Sequence, residues 1–327
     1  MPEAAHGAVQ AAARGWLAAY AAWSGIPIGS VVLLLIHRLT GGRWGEVLSP
    51  VLRPAAGLTP LAALAFVPVG IALASLYPWA ADPGHAPPGV ALLYLHPTAF
   101  LARSTVALVA WSLAGLVVAA GRGGPLFAAG ALLLHGVLIS VIAVDWVLSL
   151  EPGFVSSAFA AGVAIEQVLA ALAFAALLSP PALDEGSAGD LGGLLIAAML
   201  GTLYIGLMSF IVAWYGDLPE KAEWYLRRAE PGTVWLVLAA IAAGALVPFG
   251  LLLNGRLRRS RAVLRATGAL VLTGVALHGF WLIVPAFDRR TLPLAFAAAS
   301  FGLLALVSAA VVRQFVRRLA GEPSHAG

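Results

Sequence analysis

Cysteine is absent from this chain of 327 residues. Its absence excludes disulfide bonds, thiolate metal sites, iron–sulfur clusters held by this chain and cysteine nucleophiles. Charged residues are also scarce, because Asp, Glu, Lys and Arg make up 10% of the sequence while hydrophobic residues make up 61%. A typical soluble domain has about 25% charged residues. The composition therefore indicates a polytopic membrane protein rather than a soluble enzyme.

Several functional motifs are missing as well. The glycines in HRLTGGRWGE (37–46) lack the spacing of a phosphate-binding or dinucleotide-binding loop, and they follow an apolar run rather than a strand. No Ser-His-Asp arrangement or metalloprotease helix motif is present, so hydrolysis has little support. Residues 1–16 lack the basic region, short apolar core and cleavage site of a signal peptide. We therefore expect no cleaved signal peptide.

What the sequence does contain is a series of long apolar runs. Each run provides the roughly 20 helical residues needed to cross a bilayer, and none has the short alternating pattern of a barrel strand. The runs lie at 16–36, 58–78, 99–120, 125–148, 156–179, 190–214, 233–253, 263–285 and 293–316. They predict an all-α polytopic membrane protein with about nine transmembrane helices. We expect one membrane domain over 16–316, an N-terminal segment over 1–15 and a disordered tail over 317–327.

The arginines are concentrated in alternate connections between these runs. Arg38, Arg43, Arg53 and the basic loop NGRLRRSRAVLR (254–265) belong to the side with most of the positive charge. The positive-inside rule assigns this side to the cytoplasm, which places the C-terminus inside and the N-terminus outside. The same distribution accounts for the net charge of +4 without a nucleic-acid partner. We expect the 254–265 loop to contact anionic lipid.

Ionisable residues interrupt the apolar pattern, most of them between residues 135 and 167. An ionisable side chain at membrane depth costs about 3 kcal/mol or more, so it needs a reason to be there. Counting from the predicted helix ends, Asp145 lies just below the outer surface, Glu166 and His278 lie deeper at a similar level, and His135 lies deepest. With Glu151 at the outer mouth, these residues form a candidate proton path or quinol-deprotonation site.

Structural roles are the alternative for the same side chains. Asp145 could cap or hydrogen-bond a neighbouring helix, and Glu166 could pair with Gln167. His135 and His278 could be neutral core residues with one satisfied nitrogen each. The two histidines could also ligate a haem, because spacing alone does not exclude that arrangement in a helix bundle.

Two outward connections, 77–97 and 215–232, are long and rich in Pro, Trp and Tyr. An aromatic belt at the membrane interface accounts for the individual aromatic residues. The second connection also concentrates residues of both charges in a short stretch, which favours a docking surface for an extrinsic partner. The candidate docking residues are Asp217, Glu220, Trp224, Tyr225, Arg227 and Arg228.

Six stretches, taken in order, resemble one protein family. They are IHRLTGGRWGEVL, SLYPWA, YLHPTAFLAR, VDWVLSLEPGFVSSAF, DLGGLLIAAMLGTLYIGLMSFIVAWYGDLPEKAEWYLRR and FWLIVPAF. On these stretches the chain resembles an NrfD-like membrane subunit of bacterial alternative complex III, the one labelled quinol:cytochrome c oxidoreductase quinone-binding subunit 2. The resemblance extends from the first predicted helix to the last, and its most specific parts are DWVLSLEP and the DLG-to-LPE block.

The resemblance implies antiparallel helix bundles in the bacterial cytoplasmic (inner) membrane. It implies assembly with a paralogous NrfD-like membrane subunit, an Fe–S subunit and c-type cytochromes that oxidise quinol. This subunit would be a scaffold or proton-conducting component without catalytic residues, with no cofactor bound by this chain and with quinone at its interface. These are properties of the whole complex, and the chemistry of quinol oxidation would belong mainly to the partner subunits.

The chain departs from the family pattern at several positions. It is shorter, and nine helices are predicted where about ten are expected. Gly153 and Phe154 follow the Glu-Pro of the turn, where His-Trp or a similar aromatic pair is usual. Glu166 occupies a position expected to be small or apolar, and His278 one where an acid is more usual. The proton path could therefore be rearranged, or the subunit could serve a diverged complex.

Three hypotheses follow for the function. The first is an integral subunit of a quinol:cytochrome c oxidoreductase type of complex. The second is a stand-alone proton-coupled secondary transporter that uses the same buried acids, which paired broken helices in inverted repeats would favour. The third is a purely structural subunit in which the ionisable residues only contribute to packing.

Overall fold

The computed structural model describes residues 2–85, 89–90, 94–180, 182–216, 218–287 and 291–321. All regular secondary structure in these ranges is helical. Nine helices in the same ranges are long and apolar enough to cross a membrane. The prediction of an all-α polytopic membrane protein is therefore confirmed.

Eleven main helices make up the described part of the fold. They are α1 (Pro2–Thr40), α2 (Arg43–Ala56), α3 (Thr59–Ile71), α4 (Pro97–Ala119), α5 (Pro125–Trp146), α6 (Phe159–Leu178), α7 (Glu185–Tyr215), α8 (Pro219–Arg228), α9 (Val234–Leu253), α10 (Arg261–Ile283) and α11 (Thr291–Gly321). Helices α2 and α3 together form one candidate span, and α8 is too short to form one. The helical conformation of α1 and α11 extends into the predicted terminal segments, and residues 322–327 lie outside the described ranges.

Local sequence signals set several helix ends. Helices α4, α5 and α8 each begin with a proline, whose missing N–H and fixed φ suit the first position of a helix. Asp184 caps α7 by accepting a hydrogen bond of 2.9 Å from the Ser187 backbone N–H. Gly41 and Gly42 have φ of 67° and 100°, a region that favours glycine, and they reverse the chain between α1 and α2.

Helix α1 lies at the centre of the protein. It packs with α3, α4 and α5 in one group of four helices, and it also contacts α6 and α10 of a second group formed by α6, α7, α9 and α10. Helix α11 packs along α1 from a third direction. Close crossings depend on small residues: a Cβ atom at Gly29 would lie 1.9 Å from the carbonyl oxygen of Gln167 on α6.

The two ends of the helical bundle differ in charge. At one end, which we name the arginine face, Arg43 pairs with Asp184, and Arg38 donates a hydrogen bond of 2.6 Å to the carbonyl oxygen of Gly121. Arg53 donates to the carbonyl oxygen of Ala119 at the end of α4. The opposite end, which we name the turn face, carries the α5–α6 turn and α8. Every second connection along the sequence is rich in arginine, and these connections thus lie together at one end of the fold.

Candidate functional site

The structure brings together Glu166 and His278, the two ionisable residues expected at a similar depth. Nδ1 of His278 on α10 lies 2.8 Å from Oε1 of Glu166 on α6. The imidazole ring also stacks on the indole of Trp281 one turn later, with ring centroids 5.9 Å apart and planes inclined by 20°. Glu166 therefore pairs with a histidine of another helix rather than with Gln167.

A large cavity opens in front of this pair. Its volume is about 820 Å³, and it lies between α6, α7, α8, α9 and α10. Its walls are mainly apolar, with Glu166 and His278 among the few ionisable side chains that line it. Volume and apolar lining are both in the range of small-molecule sites that hold a drug-sized ligand. The pair is thus positioned to hydrogen-bond the polar end of an apolar ligand.

Helix α9 departs from regular α-helix beside the cavity. Residues Ala242–Leu246 form a π-helical turn, an irregularity that often occurs at functional sites. Within it, Gly244 lies against Gly274 of α10, where a Cβ atom at Gly274 would come within 2.2 Å of the Gly244 Cα. Gly274 precedes His278 by about one helical turn. This close glycine contact therefore sets the distance between α9 and the part of α10 that carries His278.

Helix α8 covers the end of the cavity at the turn face. The Trp224 indole stacks on Phe154 of the α5–α6 turn with centroids 4.3 Å apart, and its other contacts include Trp281 at 5.6 Å. Tyr225 also lines the cavity, and burial raises the pKa of its hydroxyl, which therefore stays protonated. An aromatic cluster thus connects the helix that covers the cavity to the wall that carries His278.

Arg228 connects α8 to the α5–α6 turn and to α10. Its guanidinium is buried, pairs with the Glu151 carboxylate and donates a hydrogen bond of 2.8 Å to the Leu282 carbonyl oxygen. It also lies over the Trp224 ring, 3.6 Å from the centroid. Arg227, which is more exposed, donates to the other oxygen of Glu151 at 2.9 Å. The predicted outer-mouth acid is therefore held between two arginines of α8.

Asp145 lies in the other group of helices, away from the cavity. Its carboxylate is fully buried and accepts two hydrogen bonds from Arg103 on α4, of 2.7 and 3.0 Å. The Arg103 guanidinium in turn lies over the Tyr94 ring, 4.0 Å from the centroid. Burial, followed by the nearby Asp145 carboxylate, raises the pKa of Tyr94. This geometry is that of a buried ion pair joining α4 and α5.

His135 is likewise separate from the cavity. It is buried on α5, and its Nδ1 accepts a hydrogen bond of 3.2 Å from the Trp111 indole of α4. In the part of the chain that the structure describes, no hydrogen bond joins His135 or Asp145 to Glu166. Of the five candidate proton-path residues, the structure therefore pairs Glu166 with His278, places Glu151 near the same cavity, and gives Asp145 and His135 partners of their own.

The candidate docking residues are also separated by the structure, some in the interior and others at the surface. Trp224 and Arg228 are buried and face the interior, and Tyr225 is partly buried in the cavity wall. Arg227 is partly exposed on α8 and donates a hydrogen bond of 3.2 Å to the exposed Glu223. Asp217 lies outside the described residues, and the side chain of Glu220 is not described either.

Sequence reasoning missed two important residues. Arg103 pairs with Asp145, and Trp281 provides the surface on which the His278 ring stacks. A signal for Arg103 was available, because an arginine in a spanning helix requires an acidic partner and Asp145 lies in the next helix. Nothing in the sequence distinguishes Trp281 from an aromatic residue of the membrane interface.

Comparison with known proteins adds no relative: no family model matches the chain, and no curated protein matches it. Within the described ranges, no group of three or more His, Asp or Glu side chains lies close enough to hold a metal ion. The interpretation of the site therefore depends on its own geometry.

Proposed function

We propose that the chain is an integral membrane subunit of a quinol-oxidising electron-transfer complex, and that the Glu166–His278 cavity receives the quinol head group. The observation that supports this proposal most directly is a carboxylate–imidazole pair in the wall of an apolar cavity of about 820 Å³. A quinol has one polar ring and a long apolar tail, so it requires this combination of a few hydrogen-bonding groups and apolar walls.

The pair has the chemistry needed to accept a quinol proton. When Nδ1 of His278 donates its hydrogen to Glu166, Nε2 carries the lone pair that can take a proton from a quinol hydroxyl. The Glu166 carboxylate then stabilises the imidazolium cation, as a carboxylate does in other His–carboxylate pairs. Oxidation of the quinol releases two protons and two electrons, and the electrons pass to a redox cofactor of a partner subunit.

The walls of the cavity offer a route for the apolar tail. Leu207, Phe210 and Trp214 of α7 line the cavity, and they are also among the exposed large hydrophobic residues. In a membrane these side chains face lipid tails. A quinol could therefore enter from the bilayer between α7 and α8 with its tail still in lipid.

The resemblance to an NrfD-like subunit of alternative complex III supports the wider setting of this proposal. In that setting the chain lies in the bacterial cytoplasmic membrane with its arginine face and C-terminus in the cytoplasm, which agrees with the positive-inside rule. Its partners are a paralogous NrfD-like membrane subunit, an Fe–S subunit and c-type cytochromes. The exposed side of α8, with Arg227 and Glu223, is the surface that we propose for contact with an extrinsic partner.

The first experiment is purification of the tagged protein in mild detergent from its native membrane. The eluate is stained for covalently bound haem and assayed for quinol:cytochrome c reductase activity. Co-purification of c-type haem with activity supports the complex. A monodisperse protein without haem and without activity contradicts it and favours the proton-coupled transporter instead.

Variants then test the site itself. Glu166→Gln removes the carboxylate charge in a nearly unchanged volume, and we expect the turnover of the purified complex to fall by about 100-fold, the lower range for loss of acid–base assistance. Glu185→Gln makes the same chemical change on an exposed residue of the arginine face and should leave turnover unchanged. An intact complex in which Glu166→Gln retains full activity would exclude this cavity as the quinol site.

A further inference from the structure

A second, smaller cavity lies directly behind Glu166. Its volume is about 40 Å³, and it is enclosed by α1, α6 and α10 together with Val147 at the end of α5. Four residues line both this chamber and the large cavity and form the wall between the two: Val163, Glu166, Val275 and Leu282. The Glu166 side chain therefore has the proposed quinol cavity on one side and this smaller chamber on the other.

A buried polar atom lies in this region without a partner. Gln167 lines the chamber, the residue is 6% exposed, and its Oε1 atom has no hydrogen-bond partner within the described part of the chain. Buried polar atoms in folded proteins are almost always hydrogen-bonded, to protein or to ordered water. An unpartnered carboxamide oxygen beside a cavity large enough for water therefore indicates a water site.

We infer that the chamber binds ordered water between Gln167 and Glu166, and that this water is the first acceptor of the proton that leaves the Glu166–His278 pair. The second part of the inference rests on the proposed function, which supplies the proton; the water site does not depend on it. The Nδ1 proton of the His278 imidazolium first moves to the Glu166 carboxylate. The carboxyl group so formed gives a proton to the oxygen of this water, which passes a proton on to solvent water at the turn face, so Glu166 and the chamber water return to their starting states and no electron moves.

The surroundings of the chamber favour movement toward the turn face. Val147 immediately precedes the turn that carries Glu151, and the Leu282 carbonyl oxygen accepts from Arg228, which pairs with Glu151. In the described part of the chain, the charged or titratable groups near Glu166 on the packed elements are His278 of α10 and, at the turn-face end, Tyr225, Arg228 and Glu151. Helix α1 contributes only Ala21, Ala22 and Gly25 to the chamber.

The variant Gln167→Leu tests the inference, because leucine has a similar size but cannot hydrogen-bond water. Structures of the wild-type protein and of this variant, determined at a resolution that reveals ordered water, should show water within hydrogen-bond distance of Gln167 Oε1 in the wild type and a dry chamber in the variant. Water in the wild type that is lost in the variant supports the water site even where no quinol activity is found, in which case only the proposed function fails. A dry wild-type chamber overturns the inference even if quinol oxidation occurs.

The proton role has its own readout. In the purified complex, Gln167→Leu should lower kcat by about 10-fold and increase the solvent deuterium isotope effect, while KM for quinol stays unchanged because the large cavity is intact. Gly136→Ala provides a control, since a Cβ atom there meets nothing within 4 Å. An unchanged kcat and isotope effect in Gln167→Leu would overturn the proton role, whereas changes in both would support it.

Discussion

The buried guanidinium of Arg228 and the carboxylate of Glu151 form an ion pair across 77 positions of sequence. The pair joins α8 to the α5–α6 turn, and Arg228 adds a hydrogen bond from α8 to the Leu282 carbonyl oxygen at the end of α10. Three elements around the mouth of the cavity therefore depend on one side chain. Because Arg227 binds the same carboxylate from a more exposed position, the two neighbouring arginines provide a matched comparison.

Replacement of Arg228 should lower the free energy of unfolding far more than replacement of Arg227. Arg228→Met leaves buried hydrogen-bonding groups without their partner, and we expect a loss of about 3 kcal/mol in the free energy of unfolding. Arg227→Met removes a partly exposed interaction and should cost less than about 1 kcal/mol. Unfolding of the purified protein in mixed micelles with increasing SDS measures both values. Equal losses for the two variants would contradict the role of Arg228.

Asp145 should behave as a structural residue. Asp145→Ala leaves the Arg103 guanidinium without its buried partner, and we expect a loss of about 3 kcal/mol, the lower end for broken buried pairs because Arg103 keeps some exposure. The double variant Asp145→Ala/Arg103→Leu removes both charges and should recover part of that loss. A proton carrier would give the opposite result: Asp145→Asn would lower turnover of the proposed quinol-oxidising complex and leave the free energy of unfolding unchanged.

The glycine contact between α9 and α10 should tolerate no added methyl group. Gly274→Ala would bring a Cβ atom within 2.2 Å of the Gly244 backbone, so the helices must separate, and overpacking of this kind costs about 1–3 kcal/mol. The displacement would also move His278, which should lower quinol turnover if the proposed function holds. Gly250→Ala on α9 is the control, because its Cβ atom would meet nothing within 4 Å. A Gly274→Ala protein as stable and active as this control would refute the prediction.

At the arginine face, Asp184 should stabilise the fold at neutral pH and lose this effect in acid. Hydrogen bonding from Ser187, first from its backbone N–H, and more weakly the charge of Arg43 lower the pKa of Asp184 from 3.8 to about 2. Since the folded-state pKa lies below the unfolded value, the stabilisation is complete above pH 5 or so and is lost as the pH falls through about 2. Asp184→Asn keeps a capping side chain but removes the charge.

The melting temperature of wild type should therefore exceed that of Asp184→Asn at pH 6, and the difference should disappear on acidification toward pH 2. Asp190→Asn, which changes an exposed residue of the same helix outside the cap, serves as the control. A wild-type advantage that is constant across this pH range would show that the charge of Asp184 does not stabilise the fold.

The helical architecture could be predicted from the sequence because the membrane restricts the choices. A spanning segment must satisfy its backbone hydrogen bonds internally, so an apolar run of about 20 residues predicts a helix. The sequence predicted that Glu166 and His278 lie at a similar level, because the rise per residue of a helix is constant. Their side chains are in contact in the structure. The proline starts of α4 and α5 are equally local signals.

Which side chains meet was decided by the tertiary structure. A helix turns by about 100° per residue, so depth along the axis leaves the facing direction open until the neighbouring helices are in place. Packing turned Asp145 toward Arg103 and His135 toward Trp111, and it turned Glu166 toward the cavity. The sequence by itself therefore predicted nine apolar spans. It did not give their bounds, because α1 extends over Pro2–Thr40 and the second span over Arg43–Ile71, where the apolar runs cover 16–36 and 58–78. Only the packing of distant segments decided which of the ionisable residues share a site.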